Sequence, residues 1–590
     1  MAYSWDSRLS GSIRRLHDPT PLSMELSYRE SIHPLRSWGL ALITASLAGG
    51  AAVLALHWGL QLSHIGIDDA YIFAVYARHW AEGKGLVYNP GERPVEGFTS
   101  PLWLLITTML YKAGFPWETG ALSASLAFFI LLLAWTLHGI GGSRWWRSPS
   151  ALFMGAWLLS IPGFVAWNTL TLMDTILLSF GVTAISLALW NGISEPLAGL
   201  FIVFLILTRP EGMAWALAWI GLDALRTYLL RDRSRLWSRT LRLLLVYMIA
   251  ITVLTAWRLH TFGDFLPNTY YAKRIPPFEA FKSGFIYLLL FVLTYPVGAC
   301  ASLLGGYTVL RRIPEITYKL RSPSPSDPEF TDLIRLLLLT SLAGVGLVLP
   351  LLTGDDHFPM FRFYQPIWPS LGLLLLLIGR LQVRRMSFTR KAPLFPQAIA
   401  PLLPVLFSFL GQDHYAALCC SYHARKMKFE IGLAAQGRSL AQKMNKIFDP
   451  MHPEVAIIAA GGFRFEYRGK VFDLMGLNDR EMARAERWHP PGFPGHVAFR
   501  PEVFLRRVPP VVLPYDDTMG HGLNLLMKDF EFNNSVLKGL LTSGEFHLRY
   551  RLVRIQRSGE AIIAFVERSF ADRIAATGFA VEEIEWLPPR

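Results

Sequence analysis

The stretch from Leu40 to Tyr71 reads LALITASLAGGAAVLALHWGLQLSHIGIDDAY. Its first part, Leu40–Leu60, contains no Asp, Glu, Lys or Arg. It is long enough to cross a hydrocarbon layer of roughly 30 Å as one helix. Just beyond it come two adjacent carboxylates, Asp68 and Asp69. An apolar span that ends close to an acid pair sets the reading of the chain: helices through a membrane, with polar chemistry where they emerge. Residues 1–37 are polar and of mixed charge, and no small-residue cleavage site follows the span. Leu40–Leu60 is therefore expected to be a retained first span, with residues 1–37 as a cytoplasmic segment.

Composition points the same way. The 590 residues are 52% hydrophobic and 17% charged, whereas soluble domains are about a quarter charged. The apolar residues also come in blocks, as in Ala121–Ile140, Leu336–Leu352 and Leu371–Ile378. The net charge of +13 comes from Lys and Arg placed between those blocks. That is the pattern of membrane topology rather than of nucleic-acid binding, for which no basic-aromatic module is present. The three cysteines, Cys300, Cys419 and Cys420, form neither a disulfide framework nor a CxxC metal motif.

Counting crossings gives a self-consistent topology. After the first span comes a long outer loop, residues 61–120, in which Pro101–Ala113 is too short to span and is expected to lie at the interface. Ala121–Ile140 returns to Arg144 and Arg147. Ala151–Ile161, Thr175–Trp190, Pro196–Leu207 and Met213–Leu225 then alternate, reaching the basic run from Arg226 to Arg242. Leu243–Leu259 goes out and Ile286–Leu303 returns to Arg311 and Arg312; Leu336–Leu352 goes out and Ile367–Ile378 returns to Arg380, Arg384, Arg385, Arg390 and Lys391. Leu394–Leu410 crosses last. The result is about eleven spans, with each strongly basic loop inside.

Residues 412–590 mix charge with short β-like runs, Val455–Ala459, Val511–Leu513 and Ala561–Val566, and a helical stretch, Phe429–Ile447. They predict a globular α/β domain outside the cytoplasm. The expected organisation is a cytoplasmic segment over 1–37, a transmembrane domain over 38–411 and that outer domain over 412–590. No internal repeat is visible, and the Ser/Pro-rich run 322–328 reads as a loop.

The same topology brings five polar motifs to one membrane face. They are Asp68-Asp69 with Tyr88 to Arg93, then Met173-Asp174, Arg209-Pro210-Glu211-Gly212, Leu266 to Lys273, and Gly354-Asp355-Asp356-His357 with Arg362. Ionisable groups beside hydrocarbon are costly and usually have a partner or a task. Two adjacent carboxylates in a poorly hydrated cleft do not both ionise cheaply, so one carries a raised pKa and suits a general base. The structural alternative is that the acids complement the dipole of a helix over Tyr71–Ala81; a divalent-metal site is a third option. Arg209, Lys273 and Arg362 are candidate anion binders, Arg because its planar fork donates paired hydrogen bonds. Against that stands pairing with nearby acids, such as Glu211 with Arg209. His357 beside two acids has a structural or a catalytic reading.

Asp68-Asp69-Ala70-Tyr71, Gly85 to Arg93 and Glu96 to Trp103 together resemble the GT-C class of membrane glycosyltransferases. Within it they are most similar to terminal arabinofuranosyltransferases of actinobacterial cell-wall assembly. Further matching runs follow in order: Arg209 to Gly212, Leu266 to Lys273, Gly354 to Phe363, Asp473 to Asp479, and Gly495-His496. The resemblance covers about residue 66 to residue 510. It departs at Asp174, where such enzymes more often carry Glu, and at Asp356-His357, where Asp-Trp or Asp-Phe is more usual.

The resemblance implies an inverting transferase. Its donor is a polyprenyl-phosphate-linked sugar, arabinofuranose or a related one. Its acceptor is a cell-envelope glycan or glycolipid, on the outer face of the inner (plasma) membrane. It maps the catalytic acid to Asp68 or Asp69. Donor phosphate and sugar contacts fall on Arg209, Glu211, Asn268, Tyr270, Tyr271, Lys273, Asp356, His357 and Arg362; acceptor contacts fall on Asp174, Asn478, Asp479 and His496. No cofactor is required, because the leaving group is a phosphate monoester; a divalent cation stays open. The competing expectation is a transporter or flippase of lipid-linked sugar, which internal repeats and mid-membrane polar residues would favour. A third is a membrane anchor for a binding domain.

Overall fold

A computed structural model describes residues 33–230, 233–321, 328–388, 403–484, 498–513 and 530–585. His496 and most of the Ser/Pro-rich run lie outside the described residues, as do the first residues of the last predicted crossing, Leu394–Leu410. The chain is a mostly helical, multi-pass-type region followed by an α/β domain.

The helical region begins with α1 (His33–Gly59), α2 (Asp68–Ala81), α3 (Pro101–Lys112) and α4 (Trp117–Gly141). Ser100 caps α3 by accepting from the Trp103 N–H, with Pro101 at the first helical position, where its missing N–H costs nothing. Then come α5 (Pro149–Leu159), α6 (Pro162–Asn168), α7 (Thr175–Asn191), α8 (Glu195–Thr208), α9 (Pro210–Leu229) and α10 (Arg233–Thr261). After these follow α11 (Asn268–Ala272), α12 (Pro277–Thr294), α13 (Pro296–Arg321), α14 (Pro328–Thr353), α15 (Trp368–Phe388) and the long α16 (Leu403–Ile447).

Among the described residues, five helices are long and apolar enough to cross a membrane: most of α1, α4 with the turn after it, most of α10, α12 and α14. The pair α5 and α6 passes the same test only together and is bent by 74° at Ser160–Ile161, the shape of a broken span or a re-entrant loop. Length and composition alone thus account for fewer crossings than the eleven or so expected. Two of the others, α7 and α8, are 17 and 14 residues long. Helix α7 is buried almost all round by its neighbours, so its apolar residues face protein.

The predicted span Ile286–Leu303 is corrected. The helix breaks at Tyr295 (φ −124°, ψ 65°), because Pro296 lacks the N–H a continuing helix needs and disfavours helical backbone before it. The two pieces still run as one bent rod along α14: Gly284 meets Pro350, Gly305 meets Thr340, and Arg312 pairs with Glu329.

The C-terminal domain carries a six-stranded sheet in the order β2-β1-β3-β5-β4-β6. Its strands are β1 (Val455–Ile457), β2 (Val471–Asp473), β3 (Val511–Leu513), β4 (Tyr550–Arg557), β5 (Glu560–Glu567) and β6 (Ala580–Glu583). β1 pairs in parallel with β2 and β3; the other pairings are antiparallel. Between β1 and β2 lies the short helix α17 (Gly461–Glu466), and α18 (Arg480–Arg484) follows β2. α16 runs unbroken through the predicted boundary at 411/412 and packs on α17, so the helical region and the sheet are joined by a continuous rod.

Candidate active site

The site is organised by α6 and the turn that follows it. The Leu170 and Thr171 carbonyls accept from the Gly66 and Ile67 N–H groups (2.9 and 3.3 Å). The Trp103 indole N–H donates to the Leu172 carbonyl (3.2 Å). Trp167 on α6 donates to the Pro359 carbonyl (2.9 Å), and its ring lies under the Arg362 guanidinium at 5.4 Å. One wall therefore carries both the segment leading into Asp68-Asp69 and the segment leading to Arg362.

Two arginines are buried in this wall and both are paired. Arg209 Nη1 donates to Asp174 Oδ1 (2.8 Å), while Nη2 and Nε reach the two Glu211 oxygens (3.1 and 3.3 Å). Asp174 is fully buried and also accepts from the Thr99 hydroxyl (3.3 Å). Arg362 holds Asp356 bidentately through Nε and Nη2 (2.8 and 3.1 Å), boxed by Trp167, Phe358 and Phe363. A buried guanidinium needs such a partner, because an unpaired buried charge costs several kcal/mol. The Arg362 grip uses only the Nε–Nη2 edge; among the described residues Nη1 has no acceptor and can serve another. Both arginines line a narrow cleft whose apolar walls are Leu178, Trp215, Leu349, Pro350 and Phe363.

The acid pair is split by its surroundings. Both residues sit in the first turn of α2, where carboxylates complement the helix dipole. Asp68 is committed: its oxygens accept from the Gly461 and Gly462 N–H groups (2.8 and 2.7 Å) at the start of α17. A Cβ on Gly461 would lie 1.9 Å from the Asp68 carbonyl oxygen, and one on Gly462 would lie 2.3 Å from the Ala434 carbonyl oxygen. Only glycine permits this approach. Burial pushes the Asp68 carboxyl from 3.8 up to about 6, against the two N–H groups, which pull it down; nearby Asp69 adds a smaller upward push. Asp69 is half-buried, and its carboxylate makes no hydrogen bond or ion pair with any described residue.

The segment carrying Asp356 is strained. Met360 and Phe361 both adopt left-handed backbone (φ 59° and 53°), a conformation that costs a non-glycine residue about 1–2 kcal/mol. It is held on several sides. Gln365 donates to the Met360 and Phe361 carbonyls, His423 on α16 accepts from the Met360 N–H (3.1 Å), and Lys426 donates to the His357 carbonyl. The His357 ring lies tilted against Phe358 (centroids 4.1 Å apart, 33° between planes), with Nδ1 3.9 Å from Asp356 Oδ1.

The remaining expected contacts lie in the seam between the helices and the C-terminal domain. Asn268 is buried and donates to the Gly476, Leu477 and Asp479 carbonyls (2.8, 2.9 and 3.3 Å). Asn478 donates through its side chain to Asp473 (2.9 Å), and Asp479 pairs with Arg507 (2.9 Å). Tyr271 lies under Arg484 (4.4 Å), and Tyr270 is half exposed. Lys273 is half-buried, and its side chain has no hydrogen bond or ion pair among the described residues. Sequence reasoning missed Thr99, Trp167, Gly461, Gly462, Gln365, His423 and Lys426. The one local signal was the Gly-Gly pair a few residues after a strand, which marks close backbone approach.

Among the described residues no group of three or more His, Cys, Asp and Glu side chains is placed to hold a metal ion. Fold and site together define a class: an apolar helical region with paired arginines in a cleft, and an α/β domain docked beside it. No family profile matches the chain, and no curated protein is significantly similar in sequence. Among solved structures the chain is similar to ArnT from Cupriavidus metallidurans in the apo state, with 13% identity, 89% of this chain and 98% of that chain covered, and a TM-score of 0.48. The same protein bound to undecaprenyl phosphate gives 13%, 90%, 98% and 0.47. An archaeal oligosaccharyltransferase, AglB from Archaeoglobus fulgidus, in complex with an inhibitory peptide and a dolichol-phosphate, gives 11%, 89%, 74% and 0.46.

Proposed function

We propose that the protein is a membrane glycosyltransferase that moves a sugar, arabinofuranose or a related one, from a polyprenyl phosphate to a cell-envelope glycan or glycolipid on the outer face of the plasma membrane. The observation that carries this reading is the apolar cleft headed by Arg362 with Nη1 uncommitted. Such a cleft suits a lipid tail joined to a phosphate, and the guanidinium stabilises charge that grows on the phosphate oxygens as the sugar departs. Arg209, held by Asp174 and Glu211, lies in the same cleft, and the Glu211 carboxylate suits sugar hydroxyls. Asp174 acts by orienting Arg209 rather than by touching the acceptor.

Of the two acids, Asp69 is the better base, because Asp68 already serves two backbone donors. The acceptor hydroxyl gives its proton to Asp69 as its oxygen bonds to the anomeric carbon. The bond from that carbon to the phosphate oxygen breaks, and polyprenyl phosphate leaves with the electron pair. Configuration inverts, and charge balances without a metal. The C-terminal domain would sit outside the cytoplasm and hold the acceptor.

The test is Asp69→Asn, assayed for sugar transfer from a lipid-linked donor with mass spectrometry of the lipid product. Turnover is expected to fall about 10²- to 10⁴-fold; full turnover in the variant overturns the base assignment. The bend between α5 and α6 favours a second reading, transport of the lipid-linked sugar. Proteoliposomes separate the two, since a transporter moves the lipid unchanged.

A further inference from the structure

Helix α16 touches both halves of the site. Near its middle, His423 Nδ1 accepts from the Met360 N–H (3.1 Å), and Lys426 donates to the His357 carbonyl. The His423 ring also meets the Phe361 ring edge-on at 5.4 Å. These are the backbone groups of the left-handed turn that aims Arg362 into its aromatic box. About 16 Å further along the same helix, the Ala434 carbonyl and Gly437 pack against Gly462 and Phe463 of α17. The N–H groups of Gly461 and Gly462 in turn hold Asp68. Arg438 on α16 fastens this end, donating to Glu118 of α4 (2.6 Å), Glu466 of α17 (2.8 Å) and the Tyr71 hydroxyl of α2 (3.2 Å).

We infer that α16 is the ruler of the site: His423 and Lys426 are positioning residues that set where Arg362 stands relative to the acid pair. The inference rests on the glycosyltransferase reading above and adds two residues that touch neither donor nor acceptor. The physical reason is rigidity. A helix transmits position over several turns, whereas the 354–361 segment has no regular structure and two residues in a conformation they would leave if released. His423 can accept the Met360 N–H only with Nδ1 unprotonated. Burial and the nearby Lys426 charge both depress its pKa, which keeps it in that form. An asparagine at 423 can place an acceptor oxygen close to Nδ1; an alanine cannot.

The experiment is binding of undecaprenyl phosphate to the full-length protein in nanodiscs, read by isothermal titration calorimetry, with turnover measured alongside. His423→Ala is expected to weaken binding about tenfold and to raise KM for the lipid donor more than it lowers kcat. His423→Asn is expected to stay within about twofold of wild type, and Lys426→Met to lose a few-fold. Lys428→Ala, on an exposed face of the same helix, is the unchanged control. If His423→Ala does not fold, Lys426→Met decides on its own. Wild-type affinity in the variants overturns the ruler and leaves the glycosyltransferase reading standing. An alanine variant no weaker than the asparagine variant also overturns it. Failure of the wild type to bind the lipid overturns the underlying reading, and the ruler falls with it.

Discussion

In the cleft, Arg209 and Arg362 meet carboxylates side chain to side chain. In the seam with the C-terminal domain, Asp68, Asn89 and Asn268 meet backbone groups instead. Asn89 donates to the Val471 carbonyl and accepts from the Val471 N–H (2.9 and 3.1 Å), as a neighbouring strand would. Asn268 and Asp68 do likewise with residues 461–479. Backbone-directed bonds fix two bodies relative to each other. Side-chain pairs such as Arg362 with Asp356 orient a group while leaving donors over. Motif residues that look equivalent in the sequence thus divide into those that hold the domain in place and those with capacity to bind a ligand.

The comparison breaks most sharply at Arg362. Arg362→Lys keeps the charge but cannot grip Asp356 bidentately or lie flat among Trp167, Phe358 and Phe363. If the cleft is the reaction site, kcat/KM for lipid-linked donor is expected to fall about 10²- to 10³-fold, comparable to removing one electrostatic stabiliser of a transition state. Thermal stability should drop too, because Asp356 loses a buried partner. A variant with lowered stability but wild-type kcat/KM would move Arg362 into the structural group.

The seam responds differently. Gly461→Ala puts a methyl group 1.9 Å from the Asp68 carbonyl oxygen, so one backbone must yield. Overpacking of this kind costs about 1–3 kcal/mol. The expected result is faster proteolytic separation of the C-terminal domain, with turnover lowered about tenfold or less. Loss of turnover with unchanged proteolysis would mean that Gly461 touches the reactants rather than the junction.

How far the sequence carries depends on how local each signal is. Helices α4 and α14 announce themselves as long apolar runs, and β1, β3 and β5 as short apolar ones. β4 was missed although Tyr550–Arg557 alternates apolar and charged residues, the mark of a half-exposed strand. The break at Tyr295 was readable from Pro296. That Arg209 pairs with Glu211 is readable from two residues' separation; that Asp174 joins them is not. The roles of Asp68 and Asp69 could not be told apart, because the groups that occupy Asp68 lie 393 and 394 residues away. For the same reason His423 and Lys426, on a helix that continues past the last predicted crossing, gave no sign of reaching the Asp356 segment.

The smallest effect concerns pH. Burial lifts Asp68 from 3.8 to about 6, and Asp473, buried beside Asn478, is lifted from 3.8 to about 6 by the same cause. A carboxyl whose folded pKa is raised binds its proton more tightly when folded. Its stabilisation is present in full below the unfolded value of 3.8 and is lost as pH rises through about 6. At about 1.4 kcal/mol per pKa unit, each group contributes at most about 3 kcal/mol across that window. Glu96 is lifted by burial from 4.5 to about 7 as well. Asp68→Asn removes one of these contributions, so the fall in Tm between pH 4.5 and 7, followed by nanoscale fluorimetry in roughly half-unit steps, should become shallower than in the wild type. It should not vanish, because Asp473 still titrates. An unchanged slope would mean that the bonds from Gly461 and Gly462 outweigh burial and keep Asp68 ionised throughout. The seam would then rest on a charged carboxylate, which brings it closer in kind to the cleft.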